Sequence, residues 1–282
     1  MRLCTVRTPT GPEAAVQVPG YGVVLTRDLL GRESGDLFDH LVKEELGLIS
    51  QALEAWSPTG PAMKDPIFEA PYRRPRKILG IGLNYRAHAG DLGADAPRST
   101  PASFLKGDHT IIGPGDDIRL PADVGRVTAE AELGLVIGRE CYQVSEEEAM
   151  SYVAGVCAVL DQTAEAVLLE NPRYLTRVKN YPTFFSFGPN IITMDEVLAA
   201  VGDLDKLTVA TIHNSVVHRQ DEVVGMTFSP AALLSFHSHV MPLYPGDILS
   251  TGTPGAVPIT AGDQVSCDLG GGLEVLSNGV VD

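Results

Sequence analysis

The chain has 282 residues, of which 36 are acidic and 21 basic, so its formal net charge is −15. This balance argues against nucleic acid or an anionic membrane as a partner, because both attract basic patches. The length is enough for a sizeable core, and we expect one main domain with a smaller appendage.

Residues 1–75 are predicted to form a small N-terminal α/β domain. Short β-like runs from Leu3 to Val6 and from Tyr21 to Leu25 are separated by Pro/Gly turns, and a helical stretch follows from Leu37 to Trp56. Two Pro-rich connections then lead into the main body, residues 76–282. Such clusters of chain-breaking residues are typical of a boundary between folded units.

The cysteines favour a reducing compartment. Cys4, Cys141, Cys157 and Cys267 form no Cys-x-x-Cys and no paired spacing, which is typical of reduced thiols. The first residues contain no apolar signal core, and no window of sequence reaches transmembrane length. We therefore expect a cytoplasmic protein.

A short buried strand is predicted from Lys77 to Asn84. Its Gly80 and Gly82 are spaced like the start of a dinucleotide-binding loop, but the third glycine of that motif is replaced by Tyr85. The motif needs its third glycine for close packing of helix on strand. A nucleotide-binding domain is therefore disfavoured.

The small, polar stretch from about 85 to 105 is predicted to be a lid or binding loop. Within it, His88 and Asp91 are three residues apart, which brings them side by side on one helical turn. A carboxylate beside an imidazole orients the ring and maintains its basicity, as a general base requires. A surface ion pair is the alternative interpretation.

Strict alternation from Thr128 to Gly138 predicts a half-buried strand. Glu130 and Glu132 fall on one parity, and the apolar residues fall on the other. Two carboxylates one pleat apart repel each other unless a cation lies between them, and carboxylate oxygens are ligands for Mg²⁺, Mn²⁺ or Ca²⁺. A solvated acidic face is the alternative.

Asp161 ends the apolar run from Val153 to Leu160 abruptly. It is placed like a site residue or like a helix cap, and as a third carboxylate it favours the metal interpretation of the Glu-x-Glu strand. Lys179 precedes an aromatic, Pro-bounded segment. A desolvated lysine beside a metal would stabilise an enolate or oxyanion, although an exposed lysine is the commoner case.

From about residue 77 onward the chain resembles the fumarylacetoacetate hydrolase family. The matching pieces occur in the family's order: Gly-Leu-Asn-Tyr-x-x-His ending at His88, Gly-Pro-Gly-Asp at 113–116, Glu-x-Glu at 130–132, Ser-x-Glu-Glu-Ala at 145–149, Asp161, Lys179 with Gly188-Pro189, and Pro-Gly-Asp-x-x-x-Thr-Gly-Thr-Pro at 245–254. The resemblance implies a β-rich α+β fold with a mixed, barrel-like or sandwich-like roll, a small N-terminal domain and a homodimer.

The resemblance also implies roles for individual residues. It implies that one Mg²⁺ or Mn²⁺ per subunit is bound by Glu130, Glu132 and Asp161, with Ca²⁺ as a substitute. It makes His88 the base, paired with Asp91, and Lys179 the group that stabilises an enolate. It makes Thr253 and Lys106 substrate-binding residues. Relatives usually have Glu at the position of Asp91. They have Arg and Gln, which bind the acid end of the substrate, where this chain has Glu165 and Leu168.

The resulting hypothesis is a metal-dependent hydrolase that cleaves a C–C bond in a 1,3-dicarbonyl, acylpyruvate-like substrate through a metal-bound enolate. His88 would take a proton from the attacking water. One alternative is decarboxylation of a β-keto acid such as oxaloacetate, or keto–enol tautomerisation, on the same site. The other is a non-catalytic family member that only binds the metal. A small keto acid or diketone is the expected partner in each enzymatic case.

Overall fold

A computed structural model describes residues 1–58, 62, 63, 65–86, 99–273 and 275–282. In chain order the strands are β1 Arg2–Thr8, β2 Gly11–Val18, β3 Gly22–Leu25, β4 Phe68–Glu69, β5 Ile78–Gly82, β6 Ala102–Lys106, β7 Ile111–Ile112, β8 Asp117–Arg119, β9 Val127–Ile137, β10 Val153–Thr163, β11 Phe185–Ile192, β12 Thr208–His213, β13 Val216–Glu222, β14 Ile248–Ser250, β15 Ala256–Ile259, β16 Gln264–Asp268 and β17 Leu276–Val281. The α-helices are α1 Thr26–Leu30, α2 Leu37–Val42, α3 Leu46–Ala55, α4 Glu146–Ala149, α5 Glu165–Glu170, α6 Leu175–Lys179, α7 Met194–Val201 and α8 Pro230–Val240.

Two sheets account for the strands of the described residues. The larger has twelve strands in the order β3-β2-β1-β11-β10-β9-β14-β5-β6, with β15, β4 and β7 paired to β9, β1 and β11. The smaller has five strands in the order β13-β12-β16-β17-β8. The β-rich α+β prediction is confirmed. Within the described chain both sheets follow open paths, so the expected barrel-like element is not a closed barrel.

The N-terminal strands continue the main sheet. β1 pairs antiparallel with β11, with Arg2 opposite Ile192 and Cys4 opposite Asn190. The predicted helical stretch from 37 to 56 consists of two helices, α2 and α3, because Glu44 between them has a left-handed φ of 55°. The division of the chain at residue 75 stays a prediction.

β9 lies at the centre of the larger sheet and separates two parts of the core. Leu133 and Leu135 are fully buried in one apolar cluster, and Val136 is buried in a second cluster on the opposite face. The alternation read from the sequence is therefore present, but the strand is covered on both faces over most of its length. A strand in this position is fixed by packing from both sides.

The described residues include no helix that is both long enough and apolar enough to cross a membrane.

Leu135→Ala tests this placement of the core. Leu135 is 0% exposed, and removing a fully buried leucine side chain leaves a cavity that costs about 2–5 kcal/mol. We expect a loss of this size in the free energy of unfolding, measured by urea denaturation. Leu198→Ala is the control, since Leu198 is 45% exposed and should change stability by less than about 0.5 kcal/mol. Equal losses in the two variants would contradict the placement.

Candidate active site

Three carboxylates meet on one face of the main sheet. β9 and β10 run antiparallel with Glu130 directly opposite Asp161, and Glu132 lies opposite Val159. One oxygen from each of Glu130, Glu132 and Asp161 lies within 4.8 Å of the others. Asp161 and Glu132 are buried, whereas Glu130 is half-buried. The two strands thus bring together the three acidic residues that the sequence singled out.

Neighbouring polar groups fix each glutamate. The Ser250 hydroxyl at the end of β14 donates to Oε2 of Glu132 at 2.5 Å, and the backbone N–H of Gly252 donates to the same oxygen at 3.0 Å. Thr163, at the end of β10, donates to Oε1 of Glu130 at 2.9 Å. These bonds hold the carboxylate rotamers, so the cluster is preorganised by its surroundings.

Two lysines supply positive charge to the cluster. Lys179 Nζ donates to Glu130 Oε2 at 2.8 Å and to Asp161 Oδ2 at 2.7 Å. Lys106 Nζ donates to the other oxygen of Asp161, at 2.5 Å. Both lysines are buried. Their role is electrostatic as well as structural, because buried carboxylates need nearby opposite charge to remain ionised.

Burial and charge shift the pKa values of these groups strongly. Burial, reinforced by the charge of Asp161, raises the pKa of Glu132 to about 8. Burial lowers the pKa of Lys106 to about 8, although Asp161 opposes this change. For Lys179 burial also acts downward, but the charges of Asp161, Glu130 and Glu132 outweigh it and raise the pKa. Near neutral pH, Glu132 therefore keeps its proton while no metal is bound, and binding of a divalent cation would displace that proton.

The donor set fits a hard divalent cation. All three groups offer carboxylate oxygens, which suit Mg²⁺, Mn²⁺ and Ca²⁺ better than softer metals. With all three carboxylates ionised, three negative charges would face two ammonium groups, and the net negative charge would attract a divalent ion.

An apolar-walled cavity of about 330 Å³ opens beside the carboxylates. The polar lining groups come from Ser103, Glu130, Glu132, Thr163, Lys179 and Thr253. The apolar lining side chains come from the end of β5, from β6 and from the α5–α6 segment, and they are Ile81, Leu83, Ala102, Phe104, Leu168, Pro172 and Leu175. The cavity therefore has a charged part and an apolar part.

Phe104 connects the two parts of the cavity. Lys179 Nζ lies 4.7 Å from the centroid of the Phe104 ring, within the range of a cation–π contact. The ring packs on Gly80, its antiparallel partner on β5. A Cβ at Gly80 would lie 2.3 Å from a ring carbon of Phe104. Gly80, which the sequence offered as part of a nucleotide motif, serves instead to make room for this ring.

Leu83 lines the cavity in a strained backbone conformation. Its φ is 58°, a left-handed value that costs a bulky residue of order 1–3 kcal/mol. Asn84 next to it is buried, and its side-chain amide donates to the backbone carbonyls of Phe228 and Thr251 at 3.1 and 2.8 Å. The Asn84 side-chain oxygen accepts from the backbone N–H of Phe228 at 2.9 Å. These bonds hold the end of β5 against the loop that carries Thr253.

Asn180 performs a similar task beside Lys179. It accepts from the backbone N–H of Gly107 at 2.7 Å and donates to the carbonyl of Leu105 at 3.1 Å. It thereby ties the end of α6 to β6, which carries Phe104 and Lys106. Sequence reasoning gave no role to Asn84, Asn180 or Phe104, since their contacts join segments far apart in the chain. Asn84 had one signal in the sequence, its place in the Gly-Leu-Asn-Tyr-x-x-His motif of the family resemblance.

The remaining predicted site residues fall into three groups. His88 and Asp91 lie outside the described residues, so the dyad stays a prediction. Thr253 lines the cavity, and its hydroxyl donates to the carbonyl of Gly255 at 3.2 Å. Lys106 points at Asp161 and is absent from the described lining of the cavity. Its predicted contact with substrate stays a prediction, and its observed contact is with the carboxylate cluster.

The two positions where the resemblance predicted a departure lie on α5. Glu165 forms an ion pair with Arg126. It is not among the described residues that line the cavity, whereas Leu168 is. An acidic group is thus held against a basic neighbour, and an apolar side chain faces the cavity.

Comparison with known proteins agrees with this site. A model of the fumarylacetoacetate (FAA) hydrolase C-terminal family matches residues 77–281. The mitochondrial oxaloacetate tautomerase Fahd2a of Rattus norvegicus is 32% identical over 232 residues, which cover 79% of this chain and 72% of that protein. A maleylpyruvate hydrolase from Sphingobium sp. SYK-6, solved with manganese(II) ion and pyruvate, matches with a TM-score of 0.79 and 28% identity over 100% of this chain and 99% of that one.

A third match is the 5-carboxymethyl-2-hydroxymuconate delta-isomerase from Mycobacterium smegmatis, with a TM-score of 0.77 and 29% identity over 100% of this chain and 98% of that one. The named activities thus include a hydrolase, an isomerase and a tautomerase. The family match spans most of the chain and includes the strand that carries Glu130 and Glu132. This chain belongs to the fumarylacetoacetate hydrolase family.

Proposed function

We propose that this protein is a divalent-metal-dependent hydrolase that cleaves a C–C bond in an acylpyruvate-like 1,3-dicarbonyl. The observation that carries the proposal is the meeting of Glu130, Glu132 and Asp161 beside Lys179. Glu130, Glu132 and Lys179 also line the cavity. This combination suits a reaction in which negative charge develops on a substrate oxygen, because oriented positive charge in a water-poor site stabilises such a transition state.

The reaction is a balanced hydrolysis. Water attacks the acyl carbonyl carbon, and the bond between that carbon and the adjacent methylene breaks. The acyl group leaves as a carboxylic acid, and the methylene takes up a proton to give pyruvate. No oxidant or reductant is consumed.

Each residue of the site would have a separate role in this reaction. A divalent ion held by Glu130, Glu132 and Asp161 would supply Lewis-acid stabilisation of negative charge on a substrate oxygen. Lys179 places an ammonium group at the same wall of the cavity and would steady that charge. Thr253, one of the polar residues that line the cavity, is proposed to contact the substrate carboxylate. His88, oriented by Asp91, is proposed to take the proton from water.

Similar proteins support the class of chemistry. The Sphingobium maleylpyruvate hydrolase was solved with manganese(II) ion and pyruvate, and pyruvate is the product expected here. The cavity also favours hydrolysis of a longer substrate, since about 330 Å³ with a large apolar wall exceeds what a small dicarboxylate needs. A homodimer and a cytoplasmic location stay predictions that rest on the resemblance and the composition.

A second candidate is keto–enol tautomerisation of a β-keto acid. The relation to the rat oxaloacetate tautomerase, at 32% identity over 79% of this chain, favours it. The same carboxylates and lysine would serve, because only the fate of the enolate differs. Proton return to carbon without attack by water gives tautomerisation instead of cleavage.

A product assay separates the candidates. The purified protein with Mg²⁺ or Mn²⁺ is incubated with an acylpyruvate and, separately, with oxaloacetate. We expect the acylpyruvate to yield equimolar carboxylic acid and pyruvate by chromatography. Faster enol–ketone exchange of oxaloacetate by ultraviolet absorbance, with the acylpyruvate left intact, would replace hydrolysis by tautomerisation. Release of carbon dioxide from oxaloacetate would indicate decarboxylation.

Glu132→Gln tests the metal centre. Loss of an inner ligand should weaken Mn²⁺ binding at least about 100-fold, since the loss of outer partners alone costs about 10- to 100-fold. Titration calorimetry measures the affinity, and turnover should fall with it. The amide oxygen can still accept from Ser250 and Gly252, so the free energy of unfolding without metal should change by less than about 1 kcal/mol.

Glu147→Gln is the matched control for this variant. Glu147 is exposed on the first turn of α4, and its substitution should leave Mn²⁺ affinity unchanged. Wild-type affinity in Glu132→Gln would show that the carboxylate cluster is not the metal site.

Lys179→Met tests the ammonium group separately from the metal. Turnover should fall by about 100- to 1,000-fold, the usual effect of removing one group that stabilises a developing oxyanion. Mn²⁺ affinity should stay equal or increase, because the variant removes a cation that competes for Glu130 and Asp161. Lys206→Met, at an exposed position, is the control. Retained turnover in Lys179→Met would remove this lysine from the mechanism.

A further inference from the structure

The apolar part of the cavity indicates what the substrate carries at its other end. We propose that the end remote from the carboxylate cluster is uncharged and apolar, and that Leu168 selects against a second carboxylate there. This inference rests on the proposed function for the identity of the reacting end. It assigns a substrate class, acylpyruvates with an aliphatic or aryl acyl group, and a residue that determines it.

Three segments of the chain contribute the apolar wall, which includes Ile81, Leu83, Phe104, Leu168, Pro172 and Leu175. Specific backbone features position two of the side chains in this wall. Phe104 is seated on a glycine that admits no side chain, and Leu83 is held at a left-handed φ by the hydrogen bonds of its neighbour. Two side chains that face the cavity are therefore fixed by dedicated features of the backbone.

The basic side chain in the described lining of the cavity is already paired. Lys179 is the single basic side chain among the described residues that line the cavity, and both Glu130 and Asp161 accept from it. Arg126 is bound to Glu165 at the start of α5. A carboxylate at the substrate's far end would meet Leu168 and the other apolar side chains, with no unpaired cation from the described lining.

The free energies of transfer from water predict that an apolar tail is preferred over a charged tail at this wall. A carboxylate that leaves water without a partner is strongly disfavoured. Each methylene that leaves water for an apolar wall should instead improve kcat/KM by about fourfold. A longer apolar tail should therefore raise kcat/KM, and a charged tail should lower it.

The test uses two substrates that differ only in the tail. In 4-methylpentanoylpyruvate an isopropyl group replaces the terminal carboxylate of succinylpyruvate, with nearly the same shape. With Mn²⁺ present, we expect wild-type kcat/KM to be at least about 30-fold higher for the isopropyl substrate. Equal values, or a preference for succinylpyruvate, would overturn the proposal.

Leu168→Arg assigns the preference to one side chain. It should lower kcat/KM for the isopropyl substrate at least about tenfold and raise it for succinylpyruvate by a similar factor. Leu169→Arg is the matched control, since the neighbouring leucine on the same helix is 65% exposed and should leave both values within about twofold. If circular dichroism shows that Leu168→Arg is unfolded, Leu168→Gln replaces it. This variant should reduce the ratio of kcat/KM for the isopropyl substrate to kcat/KM for succinylpyruvate at least threefold. If the ratio of the two kcat/KM values is unchanged in the folded variant, Leu168 does not determine the substrate preference.

A binding measurement separates this inference from the proposed reaction. If wild type cleaves neither substrate, hydrolysis is wrong, and the tail preference is read from ligands that cannot be cleaved. With Mn²⁺ bound, 5-methyl-2-oxohexanoate should raise the melting temperature more than its isostere 2-oxoglutarate. An equal or larger shift with 2-oxoglutarate would overturn the apolar assignment, whatever the reaction is.

Discussion

Repulsion among three carboxylates that share one face of a sheet is the constraint on which the site depends. Asp161 and Glu132 are almost fully excluded from solvent, and in such surroundings like charges interact far more strongly than in water. Lys179 and Lys106 offset part of this repulsion through direct contacts with Asp161. Protonation relieves the remaining repulsion in the free protein, because the pKa of Glu132 is raised to about 8. A divalent cation would take the place of that proton.

The sheet converts this constraint into a fixed geometry. Glu130 and Asp161 are opposite one another because β9 and β10 pair in a single register, and a slip of one residue would turn one of them to the other face. β14 adds Ser250 to hold Glu132. The apolar clusters on both faces of β9 keep this register in place. Packing remote from the site therefore determines where the carboxylate oxygens lie.

Local patterns in the sequence predicted the parts of the site that depend on local geometry. Strand parity put Glu130 and Glu132 on one face, and the abrupt end of an apolar run singled out Asp161; both features are present in the structure. Family resemblance was needed to connect them with Lys179. The pairing of Lys106 with Asp161 was missed, because 55 residues separate them along the chain. A single helix from 37 to 56 was also wrong in detail, since periodicity does not register the left-handed turn at Glu44.

Phe104 belongs to both parts of the cavity, touching the Lys179 ammonium and forming part of the apolar wall. Pocket depth and charge placement therefore cannot be altered independently by changing this side chain. Reshaping the cavity for a bulkier acyl group through Phe104 would also remove an aromatic face from a cation, so substitutions at 104 and 179 should be strongly non-additive in a double-mutant cycle. Substitutions in the α5–α6 part of the wall would change the shape of the cavity with less effect on Lys179, because the leucines and proline there do not contact its ammonium group in the described structure.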